Sequence, residues 1–84
     1  MSDQLIQKIE TGMWAKVRGS QPGQETFEEV FHFVASDQVD LAQNRISIDS
    51  PLGQALSGAK AGDKARLETK SGTMRLVVLE LGRG

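Results

Sequence analysis

Residues 46–62, with the sequence ISIDSPLGQALSGAKAG, constrain the fold most strongly because they leave room for only one short helix. Ser50 occupies the position of an N-cap, where a side-chain oxygen satisfies a free backbone N–H. Pro51 follows at the first helical position, where its missing N–H costs nothing. The apolar residues after it share one face of about two turns, and Gly58 suits the left-handed position that ends a helix. The segment predicts a strand end, a capped short helix and a glycine stop.

The remainder of the chain is dominated by strand and turn signals. Apolar and polar residues alternate over residues 13–18, and Pro22-Gly23 suits the centre of a type II turn before a longer, Phe-rich strand over residues 25–35. The alternation of that strand slips near Glu28-Glu29, so we predict a bulge that brings Phe27 back into phase. A polar loop is predicted over residues 36–45, and further strands over residues 46–48, 64–69 and 74–81.

This order of elements predicts an α+β fold, with a small twisted antiparallel sheet and one short helix on one face. Ahead of the first strand, Leu5, Ile6 and Ile9 form a narrow apolar stripe that predicts a short helix within residues 2–10. We therefore divide the chain into a short N-terminal segment, residues 1–12, and one domain, residues 13–84.

The composition fits an ordinary globular domain of 84 residues, with 38% hydrophobic and 25% charged residues. Because cysteine is absent, neither disulfides nor thiolate metal sites support the fold. No apolar run approaches the roughly 20 residues that span a bilayer, and the N-terminus lacks the features of a signal peptide, so we expect a cytoplasmic protein without membrane contact. The formal net charge of −1 gives no bulk attraction to nucleic acid, which favours a protein partner.

The residues that suggest catalysis have simpler structural explanations. His32 is the only histidine, and no further ligands stand at a metal-binding spacing from it. Glu28 and Glu29 are neighbours on a strand and therefore face opposite sides. No histidine is placed to activate a serine, and no glycine-rich loop opens a helix to hold phosphate. We expect a protein that is not an enzyme and that uses no metal or cofactor.

A longer pattern of residues resembles one known family. Asp49-Ser50-Pro51-Leu52-Gly53 is preceded by Ile46-Ser47-Ile48 and followed by Ala55-Leu56, Gly58, Lys60, Gly62 and Asp63. This pattern is similar to the C-terminal domain of bacterial Gre-type transcript cleavage factors, and the resemblance extends over residues 12–81. It implies an FKBP-like fold, in agreement with the order of elements predicted above.

The resemblance also implies a partner and a contact site. In the family, this domain docks on RNA polymerase at the rim of the secondary channel and grips a coiled-coil projection of the largest catalytic subunit. Carried over by position, the partner-binding residues are Ile48, Asp49, Ser50, Pro51 and Leu52. The residues alone leave a second explanation open, in which Asp49-Ser50-Pro51 is only the start of a helix.

The chain departs from the family at its N-terminus. Gre factors carry a long α-helical hairpin whose acidic tip coordinates magnesium in the polymerase active site, whereas at most one short helix precedes Gly12 here. We therefore expect a stand-alone Gre-like domain, a monomer or weak dimer, that docks on RNA polymerase without contacting nucleic acid directly and without stimulating transcript cleavage.

Two other functions remain open from the sequence. The first is a small interaction module for another partner, with Leu5, Ile6 and Ile9 as a dimer or docking face. The second is peptidyl-prolyl isomerisation, which the FKBP-like fold suggests but which needs an aromatic pocket. The aromatic residues available for such a pocket are Trp14, Phe27, Phe31 and Phe33.

Overall fold

A computed structural model describes residues 8–83, which contain five strands and one α-helix. The elements are β1 (Met13–Ser20), β2 (Phe27–Val34), β3 (Arg45–Ser47), α1 (Pro51–Leu56), β4 (Lys64–Thr69) and β5 (Gly72–Arg83). Two single-turn 3-10 helices, Ser36–Gln38 and Leu41–Gln43, lie in the predicted loop between β2 and β3. The predicted α+β class with one short helix is confirmed. No helix among residues 8–83 is long and apolar enough to cross a membrane.

The strands form one sheet in the order β3-β2-β1-β5-β4. All neighbouring pairs are antiparallel except β2 and β3, which run parallel with Phe33 opposite Ile46. The sheet is therefore mixed, whereas the sequence predicts a small twisted antiparallel sheet. The physical reason is the connection over residues 35–44, which leads the chain back along β2 so that it enters β3 in the same direction.

The bulge predicted at Glu28-Glu29 is wrong. The pairing of β1 with β2 is regular throughout, and the register shift in the sheet lies instead between β1 and β5. Phe27 and Phe33 are already in phase, because both stand at odd positions of an unbroken strand. Glu29 shares their phase but stays exposed, and its carboxylate accepts a hydrogen bond from the side-chain amide of Asn44 at 3.0 Å.

The hydrophobic core lies between α1 and the inner face of the sheet. Phe33 from β2 and Leu56 from α1 are both fully buried in the same cluster, and α1 lies next to the edge strand β4. The other buried hydrophobic residues are Ile9, Met13, Ala15, Val17, Ile46, Leu76 and Val78. On the opposite face of the sheet, called here the outer face, the side chains of β1 are exposed or half-buried.

Ile9 joins this core from the N-terminal segment. Its side chain is 1% exposed, its N–H donates to the carbonyl of Ala59 at 2.9 Å, and its carbonyl accepts from the N–H of Gly58 at 2.9 Å. Lys8 to Glu10 are not helical, and the earlier part of the helix predicted over residues 2–10 lies outside the described residues. The division of the chain at residue 12 stays a prediction.

Replacing Leu56 with alanine tests whether α1 supports the core. Because the side chain is fully buried, we expect Leu56→Ala to lower the free energy of unfolding by about 2–5 kcal/mol, measured by chemical denaturation. Leu41→Ala is the matched control, because Leu41 is 71% exposed and its loss should change stability by less than about 0.5 kcal/mol. Equal effects of the two substitutions would contradict this account of the core.

Candidate functional site

The backbone turns from β3 into α1 around Ser47, whose side chain and carbonyl each accept hydrogen bonds. The hydroxyl oxygen of Ser47 accepts from the N–H of Asp49 at 3.0 Å. The carbonyl of Ser47 accepts from the N–H of Ser50 at 3.0 Å and from the hydroxyl of Ser50 at 2.7 Å. These contacts fix the course of the chain through residues 47–50. We call residues 47–52 the docking turn, after the contact predicted for them from the sequence.

The predicted cap of α1 is confirmed. Ser50 has extended backbone angles, and its hydroxyl oxygen accepts from the N–H of Gly53 at 3.0 Å. Pro51 occupies the first turn, where the fixed φ of proline suits a helix and no N–H is missed. At the other end, Gly58 has a φ of +81°, the left-handed conformation predicted for the residue that ends the helix.

Gly53 allows the start of α1 to lie directly against the end of β3. A Cβ atom on Gly53 would meet the carbonyl oxygen of Ser47 and would lie 2.7 Å from the carbonyl oxygen of Ile48. Since both contacts are with backbone atoms, a side chain at this position requires the helix to shift. This role of Gly53 was not predicted from the sequence. A glycine inside a helix is nevertheless a signal of close packing, because glycine is unfavourable there on propensity alone.

The five predicted partner-binding residues lie together in the docking turn but differ in exposure. Asp49 and Pro51 are exposed, whereas Ser50 is half-buried and is used by the cap. Ile48 and Leu52 are half-buried and pack against the core. The ion pairs within residues 8–83 all belong to Glu28, so the carboxylate of Asp49 is not engaged by a cation of the described chain. The turn thus presents two side chains outward and anchors three.

The other candidate residues do not converge on one site. His32 is exposed, and within residues 8–83 no group of three or more histidines or carboxylates could hold a metal ion. Phe33 is buried in the core, and the ring of Trp14 lies against Gly82, about 3.0 Å from where a Cβ would stand. Phe27, Phe31 and Phe33 share the inner face of β2, whereas Trp14 stands on the outer face of β1, so the four aromatic residues considered for an isomerase pocket do not share one face of the sheet.

Removing the cap hydroxyl tests how the docking turn is held. We expect Ser50→Ala to lower the free energy of unfolding by about 0.5–2 kcal/mol, because it removes one acceptor for a helix N–H and one hydrogen bond to Ser47. Ser57→Ala is the control, since Ser57 is exposed at the other end of α1 and should change stability by less than about 0.5 kcal/mol. Thermal or denaturant unfolding measures both, and a neutral Ser50→Ala would contradict the cap.

Known proteins with similar sequences and folds share one family. The family model for the C-terminal domain of the transcription elongation factors GreA and GreB matches residues 5–83. GreA of Streptococcus suis is 44% identical over 57 residues, which are 68% of this chain and 36% of that protein. GreA of Christiangramia forsetii is 41% identical over 56 residues, 67% of this chain and 35% of that protein. The match therefore spans about a third of the length of these curated relatives.

Solved structures agree with this assignment. GreA factor homolog 1 (Gfh1) of Thermus thermophilus superposes with a TM-score of 0.71 over 98% of this chain and 53% of that protein, at 21% identity, which supports the fold alone. Gfh1 of Thermus aquaticus has a TM-score of 0.68 and 28% identity over 90% of this chain and 48% of that protein. With a family model that matches almost the whole sequence, the chain belongs to the GreA/GreB family of transcription elongation factors and contains its C-terminal domain.

Proposed function

We propose that this domain binds bacterial RNA polymerase at the rim of the secondary channel, and that the docking turn contacts the coiled coil of the largest catalytic subunit. The observation that carries the proposal is the pairing of two exposed side chains, Asp49 and Pro51, with a turn that is fixed by four hydrogen bonds. Membership of the GreA/GreB family supports the choice of partner, since its named members are transcription elongation factors.

The physical advantage of this arrangement is that little freedom is lost on binding. A flexible loop must be ordered when it docks, and that ordering subtracts from the affinity. Here Ser50 and Ser47 hold the turn before binding, and the ring of Pro51 fixes its own φ. Asp49 then presents a carboxylate that complements a basic patch and increases the rate of encounter.

The remaining residues of the docking turn hold the two exposed side chains in place. Ile48 and Leu52 pack against the core and so relate the turn to the sheet, while Ser50 sets the direction in which α1 begins. We propose that they orient Asp49 and Pro51 without supplying most of the contact energy, as expected for a small group of outward residues in an interface.

The same domain, we propose, does not stimulate transcript cleavage by itself. In Gre-type factors the magnesium-binding acidic tip belongs to the helical hairpin, outside the domain that these residues form. Occupation of the channel rim would then be its regulatory act, because it competes with other factors for that site. Such a role places the protein in the cytoplasm with the transcription machinery.

Purified bacterial RNA polymerase provides the test. We expect the 84-residue protein to bind polymerase and to compete with full-length GreA, and we expect Asp49→Ala and Pro51→Ala each to weaken binding about five- to tenfold, the loss typical of an interface residue worth about 1–1.4 kcal/mol. Glu25→Ala removes the same charge from an exposed position in the turn between β1 and β2, and it should leave affinity unchanged.

Three results would each contradict one part of the proposal. If the wild-type protein does not bind polymerase, then polymerase is not the partner. Binding that is equally strong in Asp49→Ala, Pro51→Ala and Glu25→Ala would remove the docking turn as the contact. The absence of cleavage stimulation is tested with stalled elongation complexes, in which transcript cleavage is measured with and without the protein. Faster cleavage in its presence would contradict a purely docking role.

A further inference from the structure

A groove with a volume of about 560 Å³ on the outer face of the sheet carries a concentration of positive charge. It crosses β1, β5 and β4, and its lining contains four basic residues and no acidic one. The basic residues are Arg18, Lys64, Arg66 and Arg75, and we call the site the basic groove. It shares no residue with the docking turn.

The strand register places two of these cations against each other. Arg66 on β4 is directly opposite Arg75 on β5, and both side chains are exposed. Such neighbours have Cβ atoms about 4.5–5.5 Å apart, and like charges in this position destabilise a sheet. Lys64 stands two residues before Arg66 and therefore on the same face. Within residues 8–83, no carboxylate forms an ion pair with any of these three side chains.

The neighbouring half of the outer face shows how the fold neutralises cations internally. Glu28 stands opposite Arg18 on β2 and accepts two hydrogen bonds from its guanidinium, at 3.0 and 2.7 Å. The ammonium of Lys16 is 3.9 Å from the same carboxylate. The hydrogen bonds from Arg18 hold the pKa of Glu28 below its ordinary value, which shows that the carboxylate is favoured in its charged form. On β4 and β5, by contrast, the residue opposite Arg66 is Arg75 and not a carboxylate.

The chemistry of the groove selects among anionic ligands. A guanidinium binds a carboxylate through two parallel hydrogen bonds. Alternate residues of an extended peptide are about 6.4–6.8 Å apart, which is also the spacing of Lys64 and Arg66 along β4. Val77 lies between Lys64 and Arg18 in the strand register and offers an apolar contact. Single-stranded nucleic acid, by contrast, is held by stacking on aromatic side chains, and none lines the groove.

We infer that the basic groove binds an acidic peptide segment of a partner protein, whose carboxylates neutralise Lys64, Arg66 and Arg75. This surface is additional to the docking turn. It gives the domain a second contact that is electrostatic, sensitive to salt, and independent of α1. Because the whole chain has a net charge of −1, the attraction for anions is confined to the groove.

Fluorescence anisotropy with a labelled short peptide of alternating glutamate and alanine tests the inference. We expect the full chain to bind this peptide at low ionic strength and to release it as salt is added. The double substitution Arg66→Gln and Arg75→Gln should weaken binding about tenfold, the combined effect of two exposed charge contacts. The double control Arg45→Gln and Arg83→Gln removes the same charge from exposed positions on β3 and at the end of β5, outside the groove, and should change affinity less than about twofold.

A second measurement separates a binding role from a structural one. Because Arg66 and Arg75 repel each other, their replacement should leave the unfolding temperature unchanged or raise it while peptide binding falls. A lower unfolding temperature that accounts for the lost binding would overturn the inference. So would a wild-type protein that does not bind the peptide, an equal loss in the control, or tighter binding of a short oligouridylate that depends on Arg66 and Arg75. The assay contains no polymerase, so its outcome is distinct from that of the docking proposal.

Discussion

The close contact between the end of β3 and the start of α1 determines most of the structure. The carbonyl of Ser47 receives two hydrogen bonds from Ser50, and Gly53 contributes no side chain that would separate the two backbones. One turn later, Leu56 enters the core. Because α1 is the one α-helix among the described residues, the direction in which it leaves Ser50 determines where Leu56 meets the sheet. In a domain of 84 residues, whose stability margin is thin, this contact supports the fold and also fixes the turn for which we propose a docking role.

The two faces of the sheet carry different side chains because successive residues of a strand point to opposite sides. On β1, Ala15 and Val17 are buried in the core, whereas Lys16 and Arg18 stand on the outer face with Glu28. The docking turn lies where β3 meets the helix, and the basic groove lies across β1, β5 and β4. The two proposed surfaces share no residue, so each can be tested by its own substitutions.

Local backbone chemistry made much of this fold predictable. Ser50, Pro51 and Gly58 each have a conformational preference that acts within a few residues, and Gly23 adopts the positive φ of +76° that a type II turn requires after Pro22. The bounds of β4 agree with the prediction for the same reason, since a turn precedes it and a tight hairpin follows.

The features that escaped prediction depend on contacts between distant parts of the chain. The direction of β3 is set by the path of the preceding loop, which no local signal encodes. The alternation slips at Glu28-Glu29, which suggested a bulge, but the strand is unbroken and the carboxylate of Glu29 accepts a hydrogen bond from the side chain of Asn44. Ile9 belongs to the core through its pairing with the segment after α1. The pattern of the docking turn was visible in the sequence, yet its division into outward and anchored residues required the packed structure.

The pairing of Arg66 with Arg75 shows why register carries functional information that composition hides. The chain is nearly neutral, with ten basic and eleven acidic residues, and composition alone argues against any anionic ligand. The sheet nevertheless separates these charges: Glu28 on β2 pairs with Lys16 and Arg18 on β1, whereas Arg66 and Arg75 stand opposite each other on β4 and β5. A marginally stable domain gains nothing in folding from such a pair, since a carboxylate at either position would stabilise it. An external anion between the two guanidiniums would offset this repulsion, which is the physical basis of the binding role that we infer for the basic groove.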